Sequence, residues 1–452
     1  MTRQKKHQEE DEEENRPFTS TPPFTTIDQT DTNGDIRTPV HVKSTGKQKD
    51  YCGLICAAVL AAIIVVIFVT LGSIEFYKYL RNRPRYNVHS EEEERYWKDM
   101  VERINGANDS WKAVYNPFAG SELSMTTMNV VLTMHWRIMD DDHFGSRAYN
   151  GTVQYLLDLY DRQIEIPTNF DVRLHWPRCW AVHDITNQAD CGNCWAHGVK
   201  SMIQDRVCIA SNFTDQPSIS VEDLTQCDDG NEGCGGGSLP HGLEYWLNNG
   251  IVTGGKYGSY EGCKPFTGKP DCGSPCPASL YYKRGHCDKF CIDSYYVPYE
   301  DDKHYAKKLY WIYFKGVAET DALRGTALYP MYLNSTTERG EIHKLIMKDI
   351  LLHGSVTVCY NVNEDFQLYK SGVYRPSTAR VKGLYGHCSR LLGWGVAKED
   401  GSPYWLISNS WGRTWGENGF YRWYRSATDR DDLLVGDVSL GAGLPLLKQD
   451  TH

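Results

Sequence analysis

The pattern of apolar and polar positions divides the chain into unequal parts. Residues 1–50 hold an acidic run from Glu9 to Glu14, a Pro/Thr-rich stretch from Pro17 to Thr26, and almost no large aliphatic side chains. Such a composition buries too little apolar surface to offset chain entropy, so disorder is expected there. Residues 51–74 carry no charged side chain, and Val59 to Val69 is apolar throughout. That length spans a bilayer as one helix. A cleaved signal peptide fits less well, because 1–50 is polar and precedes it. Across 75–165, Glu91 to Ile104 and Tyr149 to Tyr160 read as amphipathic helices between loops. Further on, turn-rich sequence from Gln188 runs into a helical pattern, Trp195 to Cys208. Cys388 to Gly395 reads as a strand.

Composition narrows the setting. The chain has 452 residues, a net charge of −10 and a pI of about 5.8, with Lys and Arg scattered. No basic footprint calls for nucleic acid. Of the fifteen cysteines, eleven lie between Cys179 and Cys291, which implies disulfides and an oxidising compartment. Asn108, Asn150, Asn212 and Asn334 each begin a glycosylation sequon, and all follow the apolar span. Basic residues flank both ends of the span and do not fix its orientation. The sequons and cysteines do: the C-terminal side is lumenal or extracellular. The expectation is a single-pass type II protein, endolysosomal or at the cell surface, whose bilayer contact is residues 51–74.

Candidate chemistry centres on Cys194. It stands where the helical pattern starts, and unpaired N–H groups at a helix N-terminus favour a thiolate. Gln188, six residues earlier, can offer its amide to a developing oxyanion. Three segments carry a family resemblance: Gln188-Ala189-Asp190-Cys191-Gly192-Asn193-Cys194-Trp195, Tyr385-Gly386-His387, and Ser408-Asn409-Ser410-Trp411-Gly412. Together they resemble the active-site segments of papain-like cysteine proteases. The usual form has Ser or Ala where this chain has Asn193. The resemblance implies that His387 is the base paired with Cys194, that Asn409 orients its ring, and that Trp411 shields that contact. His387 and Asn409 lie farther from Cys194 than the roughly 130–150 residues usual in the family, so insertions are expected. One, without assigned function, is placed at about 306–345.

The likeness tightens at Ile166-Pro167-Thr168-Asn169-Phe170-Asp171 and Trp176-Pro177-Arg178-Cys179, which is similar to the mature N-terminus of cathepsin B-type enzymes. It extends to about Pro445. The implied fold is α+β and two-lobed: a helical left lobe carrying Cys194 and a β-barrel-like right lobe carrying His387 and Asn409. The domains expected are a cytoplasmic tail (1–50), a transmembrane helix (51–74), a stalk and propeptide (75–165) and the peptidase domain (166–452). Val101 to Phe118 is similar to a cathepsin B propeptide, which implies that the chain's own pro-segment inhibits it until removed. Cleavage near Asp161 to Pro167 would then free the enzyme from its anchor. Polypeptides are the implied substrates.

The same resemblance implies bridges Cys179–Cys208, Cys191–Cys234, Cys227–Cys287 and Cys263–Cys291, with Cys272–Cys276 as a fifth. Gly236 and Gly237 would line the non-prime wall, Gly237 bonding the substrate main chain, and Trp415 would form the prime-side wall. Cys359, Cys388 and Ser439 fall at the pocket for the second residue before the scissile bond. Cys359 and Cys388 read as two small thiols there, bridged only if their backbones come close enough. His197 reads as a packed histidine with a satisfied ring nitrogen. No cofactor or metal is called for, because no Cys-x-x-Cys with a suitably spaced His occurs. Cathepsin B owes its dipeptidyl-carboxypeptidase activity to a loop with two adjacent histidines. The matching Lys269 to Cys276 has none, which points to endopeptidase action. The competing reading is a catalytically silent binding protein on the same fold.

Overall fold

The computed structural model describes residues 59–73, 90–107, 110–116, 119, 147–189, 191–270, 285–314, 323–334, 338–376 and 383–447. The chain divides into two units, Met1–Arg81 and Asn82–His452. In the first, residues 59–73 form a helix, α1, whose apolar side chains are exposed. Among the described residues no helix is long and apolar enough to cross a membrane. The expected disordered tail and both ends of the expected span lie outside the described residues.

The second unit opens with α2, Glu91–Ala107. Ser90 caps it reciprocally: its hydroxyl accepts from the Glu93 N–H, and the Glu93 carboxylate accepts from the Ser90 N–H at 2.8 Å. Four glutamates in the first turn suit the positive end of the helix. Trp97, Met100 and Ile104, one helical face, are buried. Strand β1, Trp111–Ala113, follows. The next helix, α3 (Arg147–Asp161), buries Val153, Leu156 and Leu159 at helical spacing.

Helix α4, Cys194–Ala210, is buried from Cys194 through Cys208. A helix wrapped on all sides must pair any charge it carries. Asp205 pairs with Arg390 at 3.0 Å, Arg206 with Asp349 at 2.5 Å, and Lys200 reaches Asp184 at 3.5 Å. Helices α5 (Val221–Cys227) and α6 (Leu239–Asn248) complete the helical side. Helix α7, Arg339–His353, precedes the main strands.

The strands are β2 (Phe170–Asp171), β3 (Tyr305–Phe314), β4 (Val356–Asn363), β5 (Tyr369–Tyr374), β6 (Gly383–Val396), β7 (Pro403–Ser408), β8 (Phe420–Tyr424) and β9 (Ser439–Leu446). They form one sheet in the order β1-β5-β8-β7-β6-β4-β9-β3, with β2 added on β6. Only the β5–β8 pairing is parallel among these. Gly393 admits β2: a Cβ there would sit 2.1 Å from the Phe170 carbonyl oxygen. The α+β architecture with helices against a strand-rich half is therefore present. Bridges join Cys179–Cys208, Cys191–Cys234, Cys227–Cys287 and Cys263–Cys291. Cys272 and Cys276 lie outside the described residues.

Both ends of the stretch expected as a surface insertion, 306–345, are regular elements of the fold. Residues 305–314 are β3, hydrogen-bonded to β9 along its length, with Tyr310 and Ile312 fully buried. Residues 339–345 belong to α7. Between them the described residues include a short helix, Tyr329–Leu333, and residues 315–322 and 335–337 lie outside the described residues. Asn334 and Asn212 are exposed. Asn108 and the Asn150 side chain lie outside what is described.

Candidate active site

Cys194 is the first residue of α4, with Asn193 as its N-cap. The loop before it is fastened twice. The Cys191–Cys234 bridge closes it, and the Gly192 N–H donates to the Cys234 carbonyl at 3.0 Å. The Asn193 amide donates to the Thr225 hydroxyl on α5 at 2.9 Å. The unusual Asn at this position thus ties the nucleophile loop to a neighbouring helix.

Strand β6 supplies His387, and Asn409 follows β7. Nε2 of His387 donates to Oδ1 of Asn409 at 2.8 Å, which leaves Nδ1 as the acceptor nitrogen. The Trp411 ring lies 4.8 Å from the imidazole and is fully buried. The Tyr360 ring meets the imidazole edge-on at 5.9 Å. The Gln188 segment is spliced to the Asn409 segment. Gln188 N–H donates to the Ser410 carbonyl at 2.9 Å, and the Ser410 hydroxyl donates to Gln188 Oε1 at 2.7 Å. The Gln188 amide donates to the Cys191 carbonyl at 2.9 Å. Ser410 is a member of this site that the sequence does not flag, because a serine after an asparagine has no distinguishing pattern.

Electrostatics differ from the sequence expectation. Burial pushes the Cys194 thiol up to about 11, against backbone N–H groups of Cys388, Trp195 and Cys194 itself. The helix terminus acts in the expected direction, but desolvation outweighs it in this closed state. Burial likewise holds His387 down to about 4, opposed by its bond to Asn409. Both groups are therefore neutral as the chain stands. His197 also departs from expectation: it is buried, neither ring nitrogen has a hydrogen-bond partner, and it meets Phe266 edge-on at 5.4 Å. Burial, with Lys200 nearby, holds it down to about 3.

The pocket positions come together. Cys388, Cys359 and Ser439 stand side by side across β6, β4 and β9. Cys359 and Cys388 are bridged, with Cα atoms 4.0 Å apart, and are not two free thiols. Cys359 and Cys388 are directly opposed on antiparallel β4 and β6, where Cα atoms normally lie about 4.5–5.5 Å apart, so the register brings the two thiols within bonding reach. Among the described residues Cys194 is the free cysteine. The bridge faces α4: the Cys388 Cβ lies 3.6 Å from where a Gly198 Cβ would be. Gly236 and Gly237 are both buried, and the Gly236 carbonyl is already taken by the Glu232 N–H at 3.0 Å. A Cβ on Gly237 would lie 2.6 Å from Trp195 Nε1, so this glycine is needed for packing behind the nucleophile. Trp415 donates from Nε1 to the Gln367 carbonyl at 3.2 Å. With Lys370, Gly412 and residues Val114 to Asn116 it lines a cavity of about 440 Å³.

The chain before residue 117 reaches this same cavity. β1 pairs with β5, and Trp111 is buried between Tyr369 and Tyr374. The Val114 N–H donates to the Leu368 carbonyl at 2.8 Å.

Residues 166–433 match the family model described as papain family cysteine protease. The chain belongs to the papain family. It is a cysteine-type peptidase, and its relatives are cathepsin B-like. It is 37% identical over 293 residues to a cathepsin B-like cysteine proteinase of Schistosoma japonicum, covering 63% of this chain and 75% of that one. It is 35% identical over 350 residues to cathepsin B-like cysteine proteinase 3 of Caenorhabditis elegans, covering 76% and 83%. Among solved structures it is similar to procathepsin B S9 of Trypanosoma congolense, with a TM-score of 0.53 and 25% identity over 77% of this chain and 98% of that one. The proform of the Amb a 11 cysteine protease of ragweed pollen shares the fold, with a TM-score of 0.52 and 20% identity over 83% and 94%.

Proposed function

We propose that this papain-family chain is a membrane-anchored, glycosylated cysteine endopeptidase made as an inactive precursor, with Cys194, His387, Asn409 and Gln188 as its catalytic set. The observation that carries the site is the His387–Asn409 hydrogen bond at 2.8 Å, on a strand whose next residue directs its N–H at Cys194. Once the part of the pro-segment that carries β1 leaves, water and substrate reach the pair. Desolvation then relents, and the proton passes from sulfur to Nδ1 of His387. The thiolate attacks the scissile carbonyl carbon. The oxyanion takes hydrogen bonds from the Gln188 amide and the backbone at the start of α4. His387 hands its proton to the leaving amine, and water hydrolyses the thioester with His387 as base.

Residues 75–165 hold the precursor silent. The pairing of β1 with β5 and the burial of Trp111 beside the Trp415 wall support this reading. Residues 51–74 are assigned as the type II anchor on their apolar length, with the sequons and disulfides lumenal or extracellular. Polypeptides are the substrates, and the absence of adjacent histidines favours internal cleavage. A cysteine-reactive activity probe on the processed ectodomain tests the site. Labelling that disappears in Cys194→Ala and drops at least about a hundredfold in His387→Ala is expected. A processed wild-type protein that takes no label would instead identify a silent binding protein.

A further inference from the structure

Helix α3 stands before the region that matches the family, yet it is built into the peptidase core. Leu156 and Leu159 are each 1% exposed. The Tyr155 ring stacks on Tyr310 of β3 with centroids 4.0 Å apart, and the Lys308 ammonium lies 5.4 Å from the same ring. The Tyr155 hydroxyl donates to Oδ1 of Asp349 on α7. That carboxylate also accepts from the Tyr310 hydroxyl at 2.6 Å and pairs with Arg206 of α4 at 2.5 Å. Lys348 on α7 donates to the carbonyls of Leu159 and Tyr160, at 3.1 and 2.8 Å, at the C-terminal end of α3. That end is where unpaired carbonyls need donors.

We propose that α3 remains bound to the peptidase domain after activation, as a structural part of the active enzyme. This rests on the precursor reading above and deepens it. A helix of this length is marginal alone in water, so α3 cannot leave as a stable helix. Its departure would open an apolar groove between β3 and α7. It would also uncover the Arg206–Asp349 pair, whose arginine lies on the nucleophile's own helix. The linker behind it, from Asp161 to Asn169, is largely exposed and open to cutting. A cut there therefore leaves α3 in place by non-covalent contact. Release from an N-terminal anchor then needs a second cut before residue 147. The activating cut near Asp161 to Pro167 does not by itself set the enzyme free.

The test does not depend on catalysis. The full ectodomain carrying Cys194→Ala is deglycosylated, nicked briefly with trypsin, and passed over a sizing column at neutral pH. Arg162 is exposed, and 148–161 contains no Lys or Arg, so the diagnostic peptide is 148–162. Denaturing mass spectrometry should find it in the domain peak, severed or still joined, at near one-to-one ratio. Leu159→Asp in the same protein should move the severed peptide to the small-molecule fraction. Peptide 148–162 from the unaltered helix eluting away from the domain would overturn the proposal. Failure of the enzyme reading would appear separately, as absent probe labelling of processed wild type.

Discussion

At the residue scale the sequence names candidate residues where chemistry demands a particular side chain, and the structure adds the His387–Asn409 hydrogen bond. Cys194, His387, Asn409 and Gln188 stand in segments whose neighbours carry equally constrained residues, and the fold hydrogen-bonds His387 to Asn409, Gln188 to Ser410 and the Cys388 N–H to Cys194. What could not be read was the state of those groups. Helix position argues for a thiolate, but burial is a property of the whole fold and reverses the sign. The Cys359–Cys388 link was equally out of reach, because strand register decides it and sequence spacing does not. Two predictions belong here. The Cys359→Ser/Cys388→Ala double variant should lose roughly 2–4 kcal/mol of unfolding free energy in a denaturant titration. Substrates with Leu or Val at the second position before the scissile bond should be cleaved at least about tenfold faster than those with Arg. Ser439 brings no carboxylate to the row of pocket residues, and an unpaired buried charge is costly. A peptide library on the purified enzyme measures this, and equal or better cleavage with Arg at that second position would refute it.

At the scale of elements, helices with one apolar face read well, as α2 and α3 show. β3 was mistaken for part of an insertion because it is buried over most of its length and shows no polar alternation. Such a run is ambiguous until its partner, β9, is known. The short β1 could not have been read at all, since three residues carry no periodicity. Yet β1 brings Trp111 into the aromatic cluster of Tyr369 and Tyr374, on which the proposed pro-segment docks. Trp111→Ala should cost the precursor roughly 3–5 kcal/mol of stability. Part of that loss falls on pro-segment docking. The unprocessed variant should therefore take an activity probe faster than unprocessed wild type at the same pH. Equal labelling rates would show that β1 does not guard the cleft.

At the scale of the molecule, buried neutral histidines link stability to pH. His387 and His353 are each held down to about 4 and His197 to about 3, all chiefly by burial. Their folded values lie below the usual 6.5, so the unfolded chain binds more protons as pH falls below that value. Their contribution is full above about pH 6.5 and is lost as pH falls toward 4, by at most about 1.4 kcal/mol per pH unit for each group. Asp205, Glu222 and Asp223, raised by burial, act in the opposite sense, so one histidine must be isolated. His197 has no hydrogen bond to lose, and His197→Phe should flatten the acid side of a melting-temperature profile. An unchanged profile would show that His197 is not part of the acid response. The pocket bridge has a practical consequence as well. Small reductants are the ordinary means of keeping a cysteine nucleophile free, and Cys359–Cys388 packs against the nucleophile's own helix. A preference measured in strong reductant describes a chain whose β4–β6 bridge has been opened. Selectivity is therefore to be measured at a redox poise that spares this bridge while leaving Cys194 free.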